Sequence, residues 1–286
     1  MALALAGHAL ATGAWAPPRQ PAVGPRSPKT PSSLLCCRPL VLATAMGADR
    51  GATDPDWRPM DRYITREGLV RYDLMLEEGP GALRHNVRVA ESFGRLDGFE
   101  RRTARDLAFY CNAYNILAMH LAYANLKKTG GRWKGLTGFL DKADFFYLQS
   151  VTVAGKKTNL FDLENKIIRA YNEPRIHFAI NCCSWSCPRL LQQLFCTACF
   201  SQQLDEATRR FINVDGGAVM GRGKTVSLSN IFKWYKGDFD QHGGGVINFI
   251  NKYKEGNSVP QDAVIAWQEY DWSLNSTKNS RAAAFE

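Results

Sequence analysis

The stretch HFAINCCSWSC, residues 177–187, brings one imidazole, one carboxamide and three thiols together immediately before Pro188. Apolar residues alternate with His177 and Asn181 over residues 176–181, which predicts a half-buried strand with these two polar side chains on one face. Pro188 suits the first turn of a helix, and apolar residues recur at helical spacing up to residue 200. Cys187 is then predicted at the N-cap of this helix, where the helix dipole favours a thiolate. We therefore expect a reactive cysteine at a strand–helix junction.

The rest of the sequence predicts helices first and short strands later. Apolar periodicity predicts long helices over residues 61–78, 83–96 and 101–127, the last apolar on almost every side. Short strands are predicted at 151–153 and 176–180, and a β-hairpin is predicted from 218–220 and 225–228. Helices are predicted between these strands and after them, at 161–171, 188–200, 204–211, 230–237 and 246–253. The pattern indicates an α+β fold in which a helix-rich N-terminal half packs on a small, mainly antiparallel sheet.

Five segments of the chain resemble one known family. They are AFYCNAYNILAMHL (108–121), NLFDLENKIIR (159–169), EPRIHFAINCCSWSCPRL (173–190), LSNIFKWYKGDF (228–239) and YDWSLN (270–275). In this order they resemble the signatures of the family called domain of unknown function 547. The resemblance implies a single domain over residues 57–275 and supplies no established mechanism.

The N-terminus has the composition of a targeting segment. Residues 1–48 contain no Asp or Glu and are rich in Ala, Pro and Ser. The segment resembles the bipartite leader of proteins imported into complex plastids, with an ordinary secretory signal as the alternative. We predict a leader over residues 1–50, a plastid (chloroplast) location or else secretion, and a flexible tail over residues 276–286.

Charge and hydropathy exclude two classes of partner. The formal net charge is +9, and removing residues 1–48 with their four basic side chains leaves 32 Lys and Arg against 27 Asp and Glu, or +5. This charge is too small for a nucleic-acid footprint. No apolar run is long enough to span a bilayer, so we expect a soluble mature protein without stable membrane insertion.

The first functional hypothesis is a thiol-dependent enzyme, either a cysteine hydrolase or an acyl transferase. The corresponding fold hypothesis is a domain like that of cysteine peptidases or transglutaminases. Cys187 is the predicted nucleophile and His177 the predicted base. Residues four apart on a straight strand are about 13 Å apart, so Asn181 cannot orient His177. That role falls to a distant side chain: Asn112, Asn115, Glu164 or Asp238. Asn112 and Asn115 share one side of an apolar helix, and we expect this side to face the His177–Cys187 junction.

Two alternatives remain open from sequence. Cys182 and Cys187 flank a short turn and are suited to thiol–disulfide exchange, or to zinc binding with His177 and Cys196 or Cys199. We expect neither metal nor cofactor, because Cys196 and Cys199 read as part of an apolar helix. A non-enzymatic binding module would use the aromatic residues around Trp234. Asn181, Cys182, Glu164, Asp238 and Trp234 are the predicted binding residues, and the expected partner is a small-molecule or peptide substrate.

Overall fold

A long buried helix, α3 (Ala104–Lys128), forms the centre of the N-terminal half. The computed structural model describes residues 55–92 and 103–285, all within the unit Asp54–Glu286, so the predicted leader lies outside the described residues. Thr103 caps α3 in a capping box with Asp106. Its N-terminal neighbours are α1 (Tyr72–Glu78) and α2 (Gly81–Ser92), which both pack against it. The prediction of a central apolar helix is confirmed.

The strands form two small sheets. Strands β1 (Val151–Val153) and β2 (Lys156–Thr158) make an antiparallel hairpin. In the second sheet, β3 (Ala218–Met220) pairs antiparallel with β4 (Thr225–Leu228), and β4 pairs parallel with β5 (Val264–Trp267). The α+β class and the β3–β4 hairpin are confirmed. The parallel strand β5, which sequence reasoning missed, makes this sheet mixed.

Short helices complete the fold. Helix α4 (Phe139–Ala143) continues into a π-helical turn, Asp144–Leu148. Helix α5 (Leu160–Asp162) continues as the π-helix Leu163–Ile168 and the 3₁₀ turn Arg169–Tyr171. The C-terminal half holds α6 (Phe200–Asn213), α7 (Asn230–Trp234), α8 (Lys236–His242) and α9 (Val246–Tyr253), and a 3₁₀ turn at Ala282–Phe285. None of the described helices is both long and apolar enough to cross a bilayer.

A second apolar core links the sheet to the C-terminal helices. Phe178, Phe211, Phe232, Phe239 and Phe249 are buried in one cluster with residues of β3 and β4, and their rings lie within about 6 Å of one another in successive pairs. Burying a phenylalanine side chain contributes about 1.5–3 kcal/mol. Phe178 therefore anchors the segment that precedes the cysteine motif.

Two elements predicted around the cysteine motif are wrong. Residues 174–178 form a 3₁₀ helix, Pro174–Phe178, because Pro174 lies in its first turn and the Glu173 side chain accepts the Arg175 N–H. No strand runs over 176–180 and no helix over 188–200. The chain is irregular from Asn181 to Cys196, turns once as a 3₁₀ helix at Thr197–Cys199, and enters α6 at Phe200.

The helix predicted over residues 61–78 begins later, at Tyr72. Gly68 has a φ of +79°, and a Cβ at this position would lie 2.6 Å from the Cβ of Arg189 and 2.7 Å from the carbonyl oxygen of Leu190. A glycine in the left-handed region at such a close approach marks a turn rather than a helix. The turn packs directly against the irregular segment that follows Cys187.

Candidate functional site

Three donors surround the sulfur of Cys187. The Tyr270 hydroxyl donates to Sγ at 3.1 Å, the Cys182 N–H donates at 3.3 Å, and the Cys182 sulfur is 3.1 Å away. Burial raises the pKa of Cys187, but the hydrogen bonds from the Cys182 and Tyr270 side chains and from the backbone outweigh it, and the net pKa is below the ordinary value. The hydrogen bond to Cys187 and burial raise the pKa of Cys182 well above its ordinary value. The pair therefore ionises first at Cys187.

Backbone turns, not a helix N-terminus, hold Cys187. The Cys187 N–H donates to the Ser184 carbonyl at 3.1 Å, and Cys183 has a φ of 66°. The N-cap prediction is wrong, because the helix it required does not form. The Trp185 N–H donates to the Ser273 carbonyl at 2.7 Å and the Ser186 N–H to the Asp271 carbonyl at 3.1 Å. The cysteine turn is thus fixed against the YDWSLN segment.

Asn181 closes this turn from inside. Its side chain donates to the Pro188 carbonyl at 2.7 Å and accepts the Cys183 N–H at 2.6 Å, while the Asn275 amide donates to its oxygen at 3.2 Å. Asn181 is buried, and all these bonds lie within the turn or the adjacent C-terminal segment. It is close to Cys182 and Cys187, and its carboxamide determines the shape of the turn.

Cys187 also lines a polar pocket of ≈140 Å³. The pocket is smaller than typical sites for drug-sized ligands, which are about 300–1,000 Å³. The residues around it come from the cysteine turn, the end of α6, the region between α6 and α7, and the C-terminal segment: Trp185, Ser186, Cys187, Arg189, Phe211, Asp215, Gly217, Ser229, Gln268, Glu269, Tyr270 and Arg281. A buried sulfur of lowered pKa thus faces space that a small ligand can occupy.

Asp238 is the partner of His177. The His177 Nε2 lies 2.8 Å from an Asp238 oxygen, and Arg169 donates to both oxygens of the same carboxylate at 2.7 Å. The imidazole stacks on Tyr235 with ring centres 3.8 Å apart. Because an ionised carboxylate only accepts, Nε2 carries the proton and the buried Nδ1, which has no hydrogen-bond partner, carries the lone pair. Of the four candidate orienting residues, Asp238 alone binds His177.

The charges at this pair favour ionised Asp238 and neutral His177. Burial raises the pKa of Asp238, but the hydrogen bonds from His177 and Arg169 hold it far below its usual value. Burial lowers the pKa of His177, and the attraction of Asp238 offsets this only in part. His177 makes no hydrogen bond to Cys187 and does not line the pocket. The structure therefore does not join the two residues as a hydrogen-bonded pair.

Glu164 and Trp234 lie beside these groups without binding either. Glu164 is buried and accepts from the hydroxyls of Tyr235 and Tyr114, so it contacts the ring on which His177 stacks. Trp234 packs on Tyr270 with ring centres 4.7 Å apart, and so supports the hydroxyl that binds Cys187. Both side chains position neighbours of the two predicted catalytic residues.

Asn112 and Asn115 hold backbone on opposite sides of the cysteine turn. Asn115 donates to the Ala179 carbonyl and accepts the Asn181 N–H, both at 2.8 Å. Asn112 donates to the Phe195 carbonyl and accepts the Phe195 N–H, both at 2.9 Å. The expectation that both face the His177–Cys187 junction is correct for Asn115, which binds the chain between the two residues. Asn112 instead holds the far end of the irregular segment.

The other cysteines differ from Cys187. Burial raises the pKa of Cys183 to about 12 and raises that of Cys111 further. Cys196 and Cys199 form a disulfide before α6, rather than filling a helix interior. Within residues 55–92 and 103–285, no group of three or more His, Cys, Asp or Glu side chains is placed to hold a metal ion.

The family suggested by the sequence motifs matches directly. The family described as "Protein of unknown function, DUF547" matches residues 100–212, which include α3, both asparagines and the whole cysteine turn. Residues 100–212 are therefore similar to a DUF547 domain. No curated protein and no solved structure matches the chain. The family description names no activity, so the chemistry of this chain has to be argued from its side chains.

Sequence reasoning missed Tyr270, one of the two side chains whose hydrogen bonds lower the pKa of Cys187. Tyr270 lies outside the stretch matched by the DUF547 family, and its hydroxyl reaches Cys187 across 83 positions of sequence. The signal available was the YDWSLN segment, which resembles a C-terminal family signature and begins with this tyrosine. The pocket arginines Arg189 and Arg281 were also missed, because nothing in their local sequence separates them from surface cations.

Proposed function

We propose that this protein is a thiol-dependent enzyme in which Cys187 is the nucleophile. The observation that carries the proposal is the convergence of the Tyr270 hydroxyl and the Cys182 N–H on a sulfur that lines a pocket. Cysteine nucleophiles act as thiolates, and hydrogen bonds to the ionised form stabilise it. A structural thiol behaves like Cys111, whose burial raises its pKa.

The proposed reaction is acyl transfer to or from a small-molecule or peptide substrate. The Cys187 thiolate attacks a carbonyl carbon, a thioester forms as the bond from that carbon to the leaving group breaks, and the leaving group takes a proton from solvent water. Water or another acceptor then attacks the thioester, gives up a proton and releases the thiolate. No cofactor is needed for either step.

His177 is the proposed base for the second step. Its support is the fixed tautomer, since Asp238 holds the Nε2 proton and leaves Nδ1 free to accept one. Cys187 needs no base if it is already ionised, so His177 acts on the attacking water. The proposal requires that substrate binding open a path from the pocket to Nδ1, because catalytic hydrogen bonds often form only in the complex with substrate.

The test is timed alkylation with iodoacetamide at neutral pH, followed by peptide mapping, together with acylation by p-nitrophenyl acetate. We expect Cys187 to be alkylated first and Cys111 and Cys183 to stay unlabelled in the folded protein. Cys187→Ser should lose the p-nitrophenol burst, and the matched variant Cys183→Ser should keep it. Equal labelling of all free cysteines, or a burst that survives Cys187→Ser, would refute the proposal.

A second candidate, thiol–disulfide exchange, is favoured by the 3.1 Å between the sulfurs of Cys182 and Cys187. The Cys187 thiolate would attack a substrate disulfide, forming a mixed disulfide and releasing one thiolate. Cys182 would then attack Cys187, release the second thiolate and leave a Cys182–Cys187 disulfide, which a small thiol such as glutathione reduces. Cys182→Ser separates the candidates: acyl transfer should survive it, whereas turnover of a disulfide substrate should not.

We also propose that residues 1–50 direct the protein to a plastid, with secretion as the alternative. The support is compositional, namely the absence of acidic residues before Asp49 and the abundance of Ala, Pro and Ser.

A further inference from the structure

The pocket beside Cys187 carries charge of both signs on its walls. Arg189 and Arg281 line it, and so do Asp215 and Glu269. Its volume of ≈140 Å³ limits the ligand to a small molecule. A ligand of this size that meets both signs of charge has to carry both within a few atoms.

The two guanidinium groups are held in different ways. The Arg189 guanidinium lies 4.5 Å from the centre of the Trp185 ring, and this cation–π contact fixes it in the wall formed by the cysteine turn. Arg281 donates to Asp271 at 2.8 Å, and its side chain is 62% exposed. Arg189 is therefore fixed in the wall. Arg281 is exposed, and an incoming carboxylate can replace Asp271 as its ion-pair partner.

Asp215 supplies an acceptor in the same pocket. Its side chain is only 10% exposed, the Arg189 backbone N–H donates to the carboxylate, and Oδ1 lies 3.5 Å from Arg210 Nε, but Oδ2 has no hydrogen-bond partner. A buried carboxylate oxygen without a partner costs free energy, because its hydration has been lost and not replaced. Rotation of this carboxylate toward the pocket would let a ligand amino or amide N–H donate to Oδ2 and recover that free energy.

We propose that the pocket binds a small amino-acid derivative, with its carboxylate at Arg189 and Arg281, its amino or amide N–H at Asp215, and its reacting carbonyl at Cys187. This inference rests on the proposed function for the role of Cys187, since it names the class of substrate for that sulfur. Bidentate guanidinium–carboxylate pairing supplies the geometric selectivity. Glu269 is exposed at the rim, where solvent screens its charge.

The test is protection of Cys187 from iodoacetamide by three small probes: L-alanine, acetate and methylamine, each at the same concentration and ionic strength. L-alanine presents both charges, whereas the other two present one each. We expect L-alanine to slow the alkylation of Cys187 at least fivefold and acetate and methylamine to slow it less than twofold. Calorimetric titration of L-alanine measures the same binding without using the sulfur.

Variants assign the subsites. Arg281→Met and Asp215→Asn should each abolish protection by L-alanine. Arg189→Lys should weaken it, because lysine keeps the positive charge but lacks the planar guanidinium that binds both carboxylate oxygens. Arg62→Met is the matched control, because Arg62 also forms an exposed ion pair, with Glu78, but does not line the pocket. Melting curves confirm that each variant is folded.

The possible failures of the two proposals are distinct. Fast alkylation of Cys187 with no protection and no calorimetric binding would overturn the amino-acid assignment and leave the nucleophile standing. Equal protection by acetate and L-alanine would also overturn the assignment, because Asp215 would then play no part. A third outcome is that Cys187 is alkylated slowly while calorimetry shows L-alanine binding that depends on Arg281. This outcome would refute the proposed function and support the proposed ligand.

Discussion

Replacing Tyr270 by phenylalanine should raise the pKa of Cys187 by about one to two units. The change removes one hydroxyl that donates to Sγ at 3.1 Å and leaves the ring, which packs on Trp234, in place. A hydrogen bond to a charged group contributes about 1.5–3 kcal/mol, and one pKa unit corresponds to about 1.36 kcal/mol. Tyr270→Phe therefore shifts the ionisation of Cys187 without removing the thiol.

The assay is the pH dependence of the iodoacetamide rate at Cys187, read by peptide mapping. Below both pKa values, a shift of one unit lowers the thiolate fraction tenfold, but the more basic thiolate is about threefold more nucleophilic, so the rate falls about threefold. Tyr63→Phe is the matched control, because it removes a tyrosine hydroxyl bond of 3.2 Å to the Gly79 carbonyl, outside the site. An unchanged pKa in Tyr270→Phe would refute the claim that this hydroxyl stabilises the thiolate.

The same variant has a signature in stability. The folded-state pKa of Cys187 is lowered, so its ionisation contributes free energy of folding that is fully present above the unfolded-state pKa and is lost as the pH falls through the folded-state pKa. Wild type should therefore gain stability over Tyr270→Phe as the pH rises through this window, measured by urea unfolding. A stability difference that does not change with pH would count against the shift.

Three further predictions concern the supporting residues and the leader. Asn112→Leu and Asn115→Leu should each destabilise the protein by about 2–4 kcal/mol, because each leaves a buried N–H and C=O unpaired. Only Asn115→Leu should also change the rate of Cys187 alkylation. An unchanged melting temperature would contradict the structural role of either asparagine. Asp238→Asn should cost about 3 kcal/mol at neutral pH. Because the Asp238 pKa is depressed by His177 and Arg169 despite burial, this difference should shrink as the pH falls through its folded-state pKa, as acid unfolding curves would show. N-terminal sequencing of the native protein should find a start near residues 40–55, and an intact Met1 would remove the targeting proposal.

Sequence patterns were most informative where one structural rule acted alone. The apolar residues on almost every side of α3 and the glycine turn between β3 and β4 each predict an element that the structure contains. Asp238 stood among the candidate partners of His177, although 61 positions separate the two residues. The choice among four candidates needed the fold, because packing of α8 beside the 3₁₀ turn brings the carboxylate to the imidazole.

The errors lie where side chains replace regular backbone pairing. Alternation over residues 176–181 predicts a strand, but Glu173 and Pro174 begin a 3₁₀ helix there, and Asn115 binds the Ala179 carbonyl and the Asn181 N–H. Helical spacing after Pro188 predicts a helix, but Asn112 and Gln203 bind the chain at residues 194–196. The carboxamides of Asn112 and Asn115 compete with the local pattern from 64 to 83 positions away, and no window around the motif contains them.

The carboxamide contacts also affect how this site can change. Asn112 and Asn115 bind the peptide groups of Phe195, Ala179 and Asn181, and therefore do not depend on which side chains those positions carry. Between these anchors, residues such as Trp185 and Arg189 can be exchanged without disturbing the bonds that hold the loop. Specificity can thus diversify by point substitution in the pocket wall while the scaffold stays constant, which makes the loop a ready starting point for engineering new ligand preferences.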